Sequence, residues 1–266
     1  MSEVLFWVVT ATLSSIIVVL VFLLLRPHFS FLKRKEGPED LDDGEIIENN
    51  VNACKVIEKC NRNTVRAIIS TSKAYFLCFE GFFNSDRQQL KSAIAEAEQF
   101  DKRAKRLKDN VFKSLQKLQN EQVETGHFYV QVVDYLREMA HSLNYTVKPV
   151  LNYFEKKHRS FDEEQINQFN EFRVELNNFF NYALYILKEK RFDDLDELIS
   201  KRNMLVNNLK ELEKSHIKRI KGNSTSTRSS ILYFNIITET KSLLLNLINV
   251  VKAQRDFINE TKLNNS

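Results

Sequence analysis

After residue 45 the chain continues for 221 residues with only three glycines, Gly81, Gly126 and Gly222, and one proline, Pro149. Glycine and proline are the residues that let a backbone reverse sharply at low cost. Sandwiches, barrels and glycine-loop nucleotide folds need many such turns, so their scarcity argues against all three. It favours a few long helices. With 43% of its 266 residues apolar, the chain has enough apolar material for a sizeable core. The fold class expected is all-α.

Apolar spacing divides this region into six helices. The first is expected over 46–83, with Val56, Ile57, Cys60, Thr64, Ala67, Ile68, Thr71, Tyr75, Cys78 and Phe82 on one face. Asn84-Ser85-Asp86 supplies an N-cap, and Gln88, three residues after Ser85, suggests a capping box. The second helix, about 86–120, carries Leu90, Ile94, Ala97, Ala104, Leu107, Val111, Leu115 and Leu118, with Asp101 where an apolar residue is expected. The third starts near Thr125 and is expected to bend or stop around Pro149. A fourth covers 162–190. Asp193 is read as the N-cap of a fifth ending near Ile220, with Asp196 and Glu197 in its first turn. The sixth follows the Ser/Thr cluster, over about 229–260. The turns FFNSDRQQL and KRFDDLDEL, each leading into a charged helix, suggest a duplicated three-helix unit, about 46–158 and 160–262.

Residues 4–25 form 22 positions without a charge. As a helix they would cover about 33 Å, enough for a hydrocarbon core of about 30 Å. A signal peptide would have a shorter apolar region behind a positive N-terminus. Here Glu3 precedes the segment, while Arg26, Lys33, Arg34 and Lys35 follow it. The positive-inside rule therefore predicts a single membrane helix over 1–26 with the rest of the chain in the cytoplasm. Residues 27–45, basic then acidic with Pro38, Gly37 and Gly44, read as a solvated linker. Cys54, Cys60 and Cys78 form no C-x-x-C pair and read as reduced helix-core residues. The balance of 39 Lys+Arg against 35 Asp+Glu is too even to indicate nucleic acid as a partner.

Three stretches carry a family likeness: GHFYVQVVDYLREMAHSL, DLDELISKRNMLVNNL and KRIKGNSTSTRSSILYFNIITETKSLLL. Together they resemble the cytoplasmic C-terminal domain of bacterial inorganic phosphate transporters of the Pit type, which is PhoU-like. The likeness covers roughly residues 45–258. It implies a six-helix bundle of two three-helix repeats, preceded by what resembles the last membrane helix of such a transporter. These transporters have many spanning helices and this chain one. It is therefore expected to be a fragment or split subunit of a transporter, or a separately anchored PhoU-like subunit.

The resemblance also implies metal ligands, since PhoU-like proteins carry an acidic motif on the third helix of each repeat. Asp134 and Glu138 stand at the matching place in the first repeat, and an i, i+4 spacing puts both on one helix face, as oxygen-ligated cations require. In the second repeat Glu239 is present but Leu243 replaces the second carboxylate. Weak divalent or ferric binding is the expectation, weighed against a plain solvated face. His127 and His141 are too far apart to share a metal and read as a capping and a packing histidine.

Basic residues gather at Lys102 to Lys108 and again around Lys218, Arg219, Lys221 and Arg228. The second group adjoins Ser224 and Thr225 at a helix start, where amides and hydroxyls could hold an anion; helix capping explains the same residues. No Walker loop, nucleophile elbow, H-E-x-x-H or dinucleotide fingerprint occurs, so no enzyme activity is expected. The function expected is a cytoplasmic regulatory or gating module of a phosphate transporter in the bacterial inner membrane. Its partners would be the transporter's membrane core, the bilayer and possible further copies of itself. The alternative is an anchored helical scaffold or signalling protein that dimerises through long helices.

Overall fold

The computed structural model describes residues 53–116, 126–158 and 160–263. The chain divides into two units, Met1–Ile47 and Glu48–Ser266, and only the second contains described residues. The expected membrane helix, the linker and Leu118 lie outside them. Among the described residues there are six α-helices: α1 Ala53–Phe83, α2 Arg87–Gln116, α3 Gly126–Glu155, α4 Glu163–Glu189, α5 Leu195–Lys221 and α6 Thr227–Leu263, with a 3-10 turn Phe192–Asp194 before α5. No strand occurs among the described residues, in line with the all-α expectation.

The helix ends show which local signals decide the fold. All ten positions expected on the inner face of α1, from Val56 to Phe82, are buried. Its exit differs from the expectation. Ser85 adopts a left-handed backbone, φ 55°, and Asp86 is the residue whose carboxylate accepts from the amides of Gln88 (2.8 Å) and Gln89 (3.1 Å). The cap is therefore Asp86, and Ser85 makes the turn that aims it. The turn closes tightly, with the Asp86 amide donating to the Gly81 carbonyl at 2.8 Å.

On α2 the buried line is Leu90, Ala93, Ala97, Phe100, Ala104 and Val111. The gap expected at Asp101 is filled one residue earlier by Phe100, and Leu107 is only half-buried. Three alanines on this face leave room for α2 to lie close to its neighbours. Asp101, turned sideways, pairs with Arg137 of α3 at 2.5 Å.

The third helix does not stop at Pro149 but continues to Glu155. Proline has no amide hydrogen for the carbonyl four residues back, here Tyr145. The side-chain amide of Asn235 on α6 donates to that carbonyl at 2.7 Å. Helix α4 begins with a full capping box: Asp162 accepts from the Gln165 amide at 2.8 Å, and the Gln165 side chain accepts from the Asp162 amide at 2.9 Å. Before α5 the expected cap Asp193 lies inside the 3-10 turn, and the N-cap position belongs to Asp194, whose side chain makes no cap bond. Asp194 pairs instead with Arg191 at 3.3 Å. The last helix starts two residues earlier than expected, because Ser226 accepts from the Ser229 amide at 3.2 Å.

Each helix packs on the next within 53–155, α1 with α2 and α3, and α2 with α3; α4 packs on α5 and α5 on α6. The most extensive contact joins α3 to α6. These two run antiparallel, since Tyr129 meets Phe257, Ser142 meets Ser242 and Tyr145 meets Asn235. Helices α1 and α4 are antiparallel too, with Asn61 bonded to the Leu187 carbonyl at one end and Glu80 paired with Arg173 at the other. An aromatic cluster of Phe79, Phe82, Phe161, Phe169 and Tyr233 fills the region between α1, α4 and α6. Burying each such ring stabilises the fold by about 1.5–3 kcal/mol.

Helix α6 is long and apolar enough to cross a membrane. In the bundle it lays Tyr233, Ile236, Ile237, Leu244, Leu247, Val251 and Phe257 into the core with near-zero exposure. Its apolar composition is thus spent on contacts with α1, α3 and α5.

Candidate functional site

A buried polar group lies where the start of α4, the second half of α5 and the start of α6 meet. It begins with the capping box. The Gln165 side-chain oxygen is committed to the Asp162 amide, so its nitrogen must face the other way, where it lies 3.1 Å from His216 Nδ1. An amide nitrogen only donates, which makes Nδ1 the acceptor and puts the imidazole proton on Nε2. The His216 ring is fully buried and stacks on Tyr233, with centroids 4.0 Å apart and planes at 8°. Its Nε2 has no hydrogen-bond partner.

Arg219, one turn further along α5, is buried to 9% exposure. Its guanidinium reaches Glu164 at 2.7 Å, Asp162 at 3.5 Å and the Ser215 hydroxyl at 2.9 Å. Burial lowers the pKa of His216, helped by the Arg219 charge and opposed by Asp162. The Tyr233 hydroxyl is pushed up by burial. A neutral imidazole, a neutralised guanidinium and an aromatic floor form a joint between three helices.

The residues of the expected anion site are placed as follows. Arg219 faces the carboxylates of α4. Ser224 donates its hydroxyl to the Arg219 carbonyl at 3.0 Å, and its amide goes to the same oxygen at 3.1 Å. It therefore closes the end of α5. Lys218 and Arg228 are exposed, and Thr225 is half-buried.

The carboxylates of the expected metal site are dispersed. Asp134 pairs with Lys108 at 3.0 Å, and Glu138 lies 4.0 Å from His141 Nδ1. Both carboxylates are more than half exposed. Glu239 is partly buried on α6; burial raises its pKa, and the nearby Ser142 hydroxyl opposes that rise. Among the described residues no three of His, Cys, Asp and Glu come together as a metal-binding group. His127 lies against Phe128, ring to ring at 3.8 Å.

A second polar line runs inside the bundle between α1 and α6. Cys60 donates its thiol to Gln254 at 3.2 Å, and the Tyr75 and Thr240 hydroxyls are bonded to each other. Cys60 and Cys78 are free and fully buried, and burial pushes both thiols up, away from the reactive thiolate.

His216 is not among the residues expected from the sequence, although a signal for it exists. The spacing D-x-x-Q at Asp162 and Gln165 marks a capping box, while Leu205, Leu209, Leu212 and His216 share one face of α5. What joins them is the antiparallel pairing of α4 with α5. No protein-family model and no curated protein matches the chain.

Proposed function

We propose that the chain is a membrane-anchored, PhoU-like module that regulates an inorganic phosphate transporter from the cytoplasmic side. The observation that carries this reading is the pairing of like helices. If α1–α3 and α4–α6 are two copies of one unit related by a two-fold axis across the bundle, equivalent helices near that axis must meet antiparallel. Helices α1 and α4 do so, as do α3 and α6. The stretches with a family likeness fall on α3, on the first half of α5 and on the α5–α6 turn with the first half of α6. In this reading residues 4–25 are the anchor, and the bundle senses or transmits a state to the membrane core of the transporter.

The scaffold alternative needs long apolar helix faces left for a second chain. Helices α3 and α6 instead bury theirs against each other, which favours the regulatory reading.

Labelled-phosphate uptake in the native host tests it. Deleting the coding segment for residues 48–266 should alter phosphate uptake while leaving uptake of an unrelated solute unchanged. Identical phosphate uptake with and without the segment would refute the proposal. A reporter active only in the cytoplasm, fused after Ser266, checks the topology separately.

A further inference from the structure

Between Glu213 and Glu239 the chain has no acidic residue, and it carries Lys214, Lys218, Arg219, Lys221 and Arg228. Helical spacing sorts the α5 part of this run into two faces. Leu205, Leu209, Leu212, His216 and Arg219 point into the bundle. Lys210, Lys214, Ile217 and Lys221, spaced four, three and four residues apart, share the opposite face. The turn that follows is fixed by backbone bonds from Gly222 to Lys218 (3.0 Å) and from Ser224 to Arg219 (3.1 Å). Residues 222–226 lead from α5 into α6, whose first two turns carry Arg228 and Ile231.

Two features distinguish this end of the molecule. Ile217, Ile220 and Ile231 are exposed by 43%, 40% and 65%, and the other exposed large hydrophobics described on these two helices are Met204 and Leu245. Lys210, Lys218, Lys221 and Arg228 form no ion pair among the described residues. Of the nearby acids, Glu211 pairs with Lys214 at 2.7 Å, Glu213 with Lys241 at 2.7 Å, and Asp162 and Glu164 with Arg219, while the exposed Glu163 at the start of α4 forms no ion pair among the described residues.

We infer that the α5–α6 turn is a bilayer-contact tip that docks on an anionic lipid surface, with Ile217, Ile220 and Ile231 entering the interface and Lys218, Lys221 and Arg228 meeting the headgroups. Charge complementarity selects this occupant, and the interleaved isoleucines separate it from an acidic protein, which would engage the cations and leave the aliphatic chains in water. A bilayer offers an anionic layer over an apolar one, so each side-chain type has its own medium. Long lysines suit this division, since their stems lie along apolar surface while the ammonium stays at the headgroups. The tip rests on the anchored reading only for bringing the bundle to the bilayer. It would give the module a second, reversible contact and so fix how the bundle faces the membrane.

The test uses the full chain with Trp7→Phe and Ile231→Trp, reconstituted into vesicles with brominated acyl chains. The vesicles are phosphatidylcholine alone or phosphatidylcholine mixed with phosphatidylglycerol. The introduced indole should be quenched roughly twofold more strongly in the anionic vesicles, with the excess lost at high salt. Adding Lys218→Glu, Lys221→Glu and Arg228→Glu, all exposed, should also abolish the excess. Equal quenching in both lipids, or none in anionic vesicles, overturns the inference. So does an emission shift with soluble polyglutamate that matches the lipid effect, which would assign the tip to an acidic protein. Retention on neutral vesicles in alkaline carbonate reports the anchor independently, so its failure is distinguishable from failure of the tip.

Discussion

Asn235 completes the hydrogen bonding of Tyr145. Its side-chain amide lies 2.7 Å from the carbonyl that Pro149 leaves without an intrahelical donor. The contact ties α6 to α3 at the point where α3 would otherwise be weakest, and lets one unbroken helix carry Asp134, Glu138 and the core residues on both sides of the proline. Local sequence sets the break, and a residue 90 positions away repairs it.

Replacing Asn235 with Ala should therefore lower stability by about 1 kcal/mol, the usual net worth of one such bond. In a Pro149→Ala background the Tyr145 carbonyl regains a backbone donor, and the cost of Asn235→Ala should shrink towards zero. Urea unfolding of the four proteins in the cycle, followed by helical circular dichroism, measures the coupling. An equal cost in both backgrounds would show that the bond does not compensate for the proline.

Gly81 and Gly222 should respond in opposite ways to alanine. A Cβ at Gly81 would meet the Asp86 carbonyl oxygen and the Leu90 amide nitrogen at 2.9 Å each. Both are backbone atoms of the tight α1–α2 turn, so α2 must shift, at a cost of roughly 1–3 kcal/mol. At Gly222 the nearest atom is the Lys218 carbonyl oxygen at 3.6 Å and φ is −82°. Alanine there should be neutral or stabilising by up to about 1 kcal/mol through the unfolded chain. Thermal unfolding of the two variants decides, and a larger loss at Gly222 than at Gly81 would contradict this account.

These positions also show how far the sequence could be read. Helix existence and the inner face of α1 were legible because apolar spacing is a local property. Leu107, expected on the inner stripe of α2, is only half-buried because α2 turns Phe100 inward. The spacing of Ser85 and Gln88 suggests a capping box, but the left-handed turn at Ser85 hands the cap to Asp86. Arg219 looked like an anion ligand because its neutralising partners, Asp162 and Glu164, belong to another helix. Long-range pairing of this kind leaves no periodic trace. The same holds for Asp134, whose partner Lys108 lies across the α2–α3 contact.

The placement of the acidic pair limits what a metal could gain there. Asp134 and Glu138 stand one helical turn apart, and further oxygen ligands would have to come from water, since no third His, Cys, Asp or Glu joins them among the described residues. Any divalent or ferric binding should be weak, and should disappear in a double Asp134→Asn, Glu138→Gln variant with helical content unchanged. Calorimetry with the metal salt alone checks this. Equal heats for the parent and the variant would remove both residues from consideration.

The buried imidazole gives the last prediction its sign. His216 is held neutral, with its pKa below the ordinary value, because burial and the Arg219 charge oppose a second proton more than Asp162 favours it. Glu164 shares the Arg219 guanidinium, and Tyr233 from α6 offers a ring face without charge. In the unfolded chain the same side chain titrates near its usual value of about 6.5. As pH falls through that region the unfolded state takes up a proton that the native state refuses. The contribution of His216 to stability is therefore complete above about pH 6.5 and declines on acidification until the native pKa is passed. A His216→Phe variant keeps an aromatic ring against Tyr233 and has nothing to titrate. The parent should lose more thermal stability than this variant between about pH 7.5 and about pH 5.5. Matching losses, or a parent that gains stability on acidification, would mean that the imidazole is not held neutral by the α4–α5 joint.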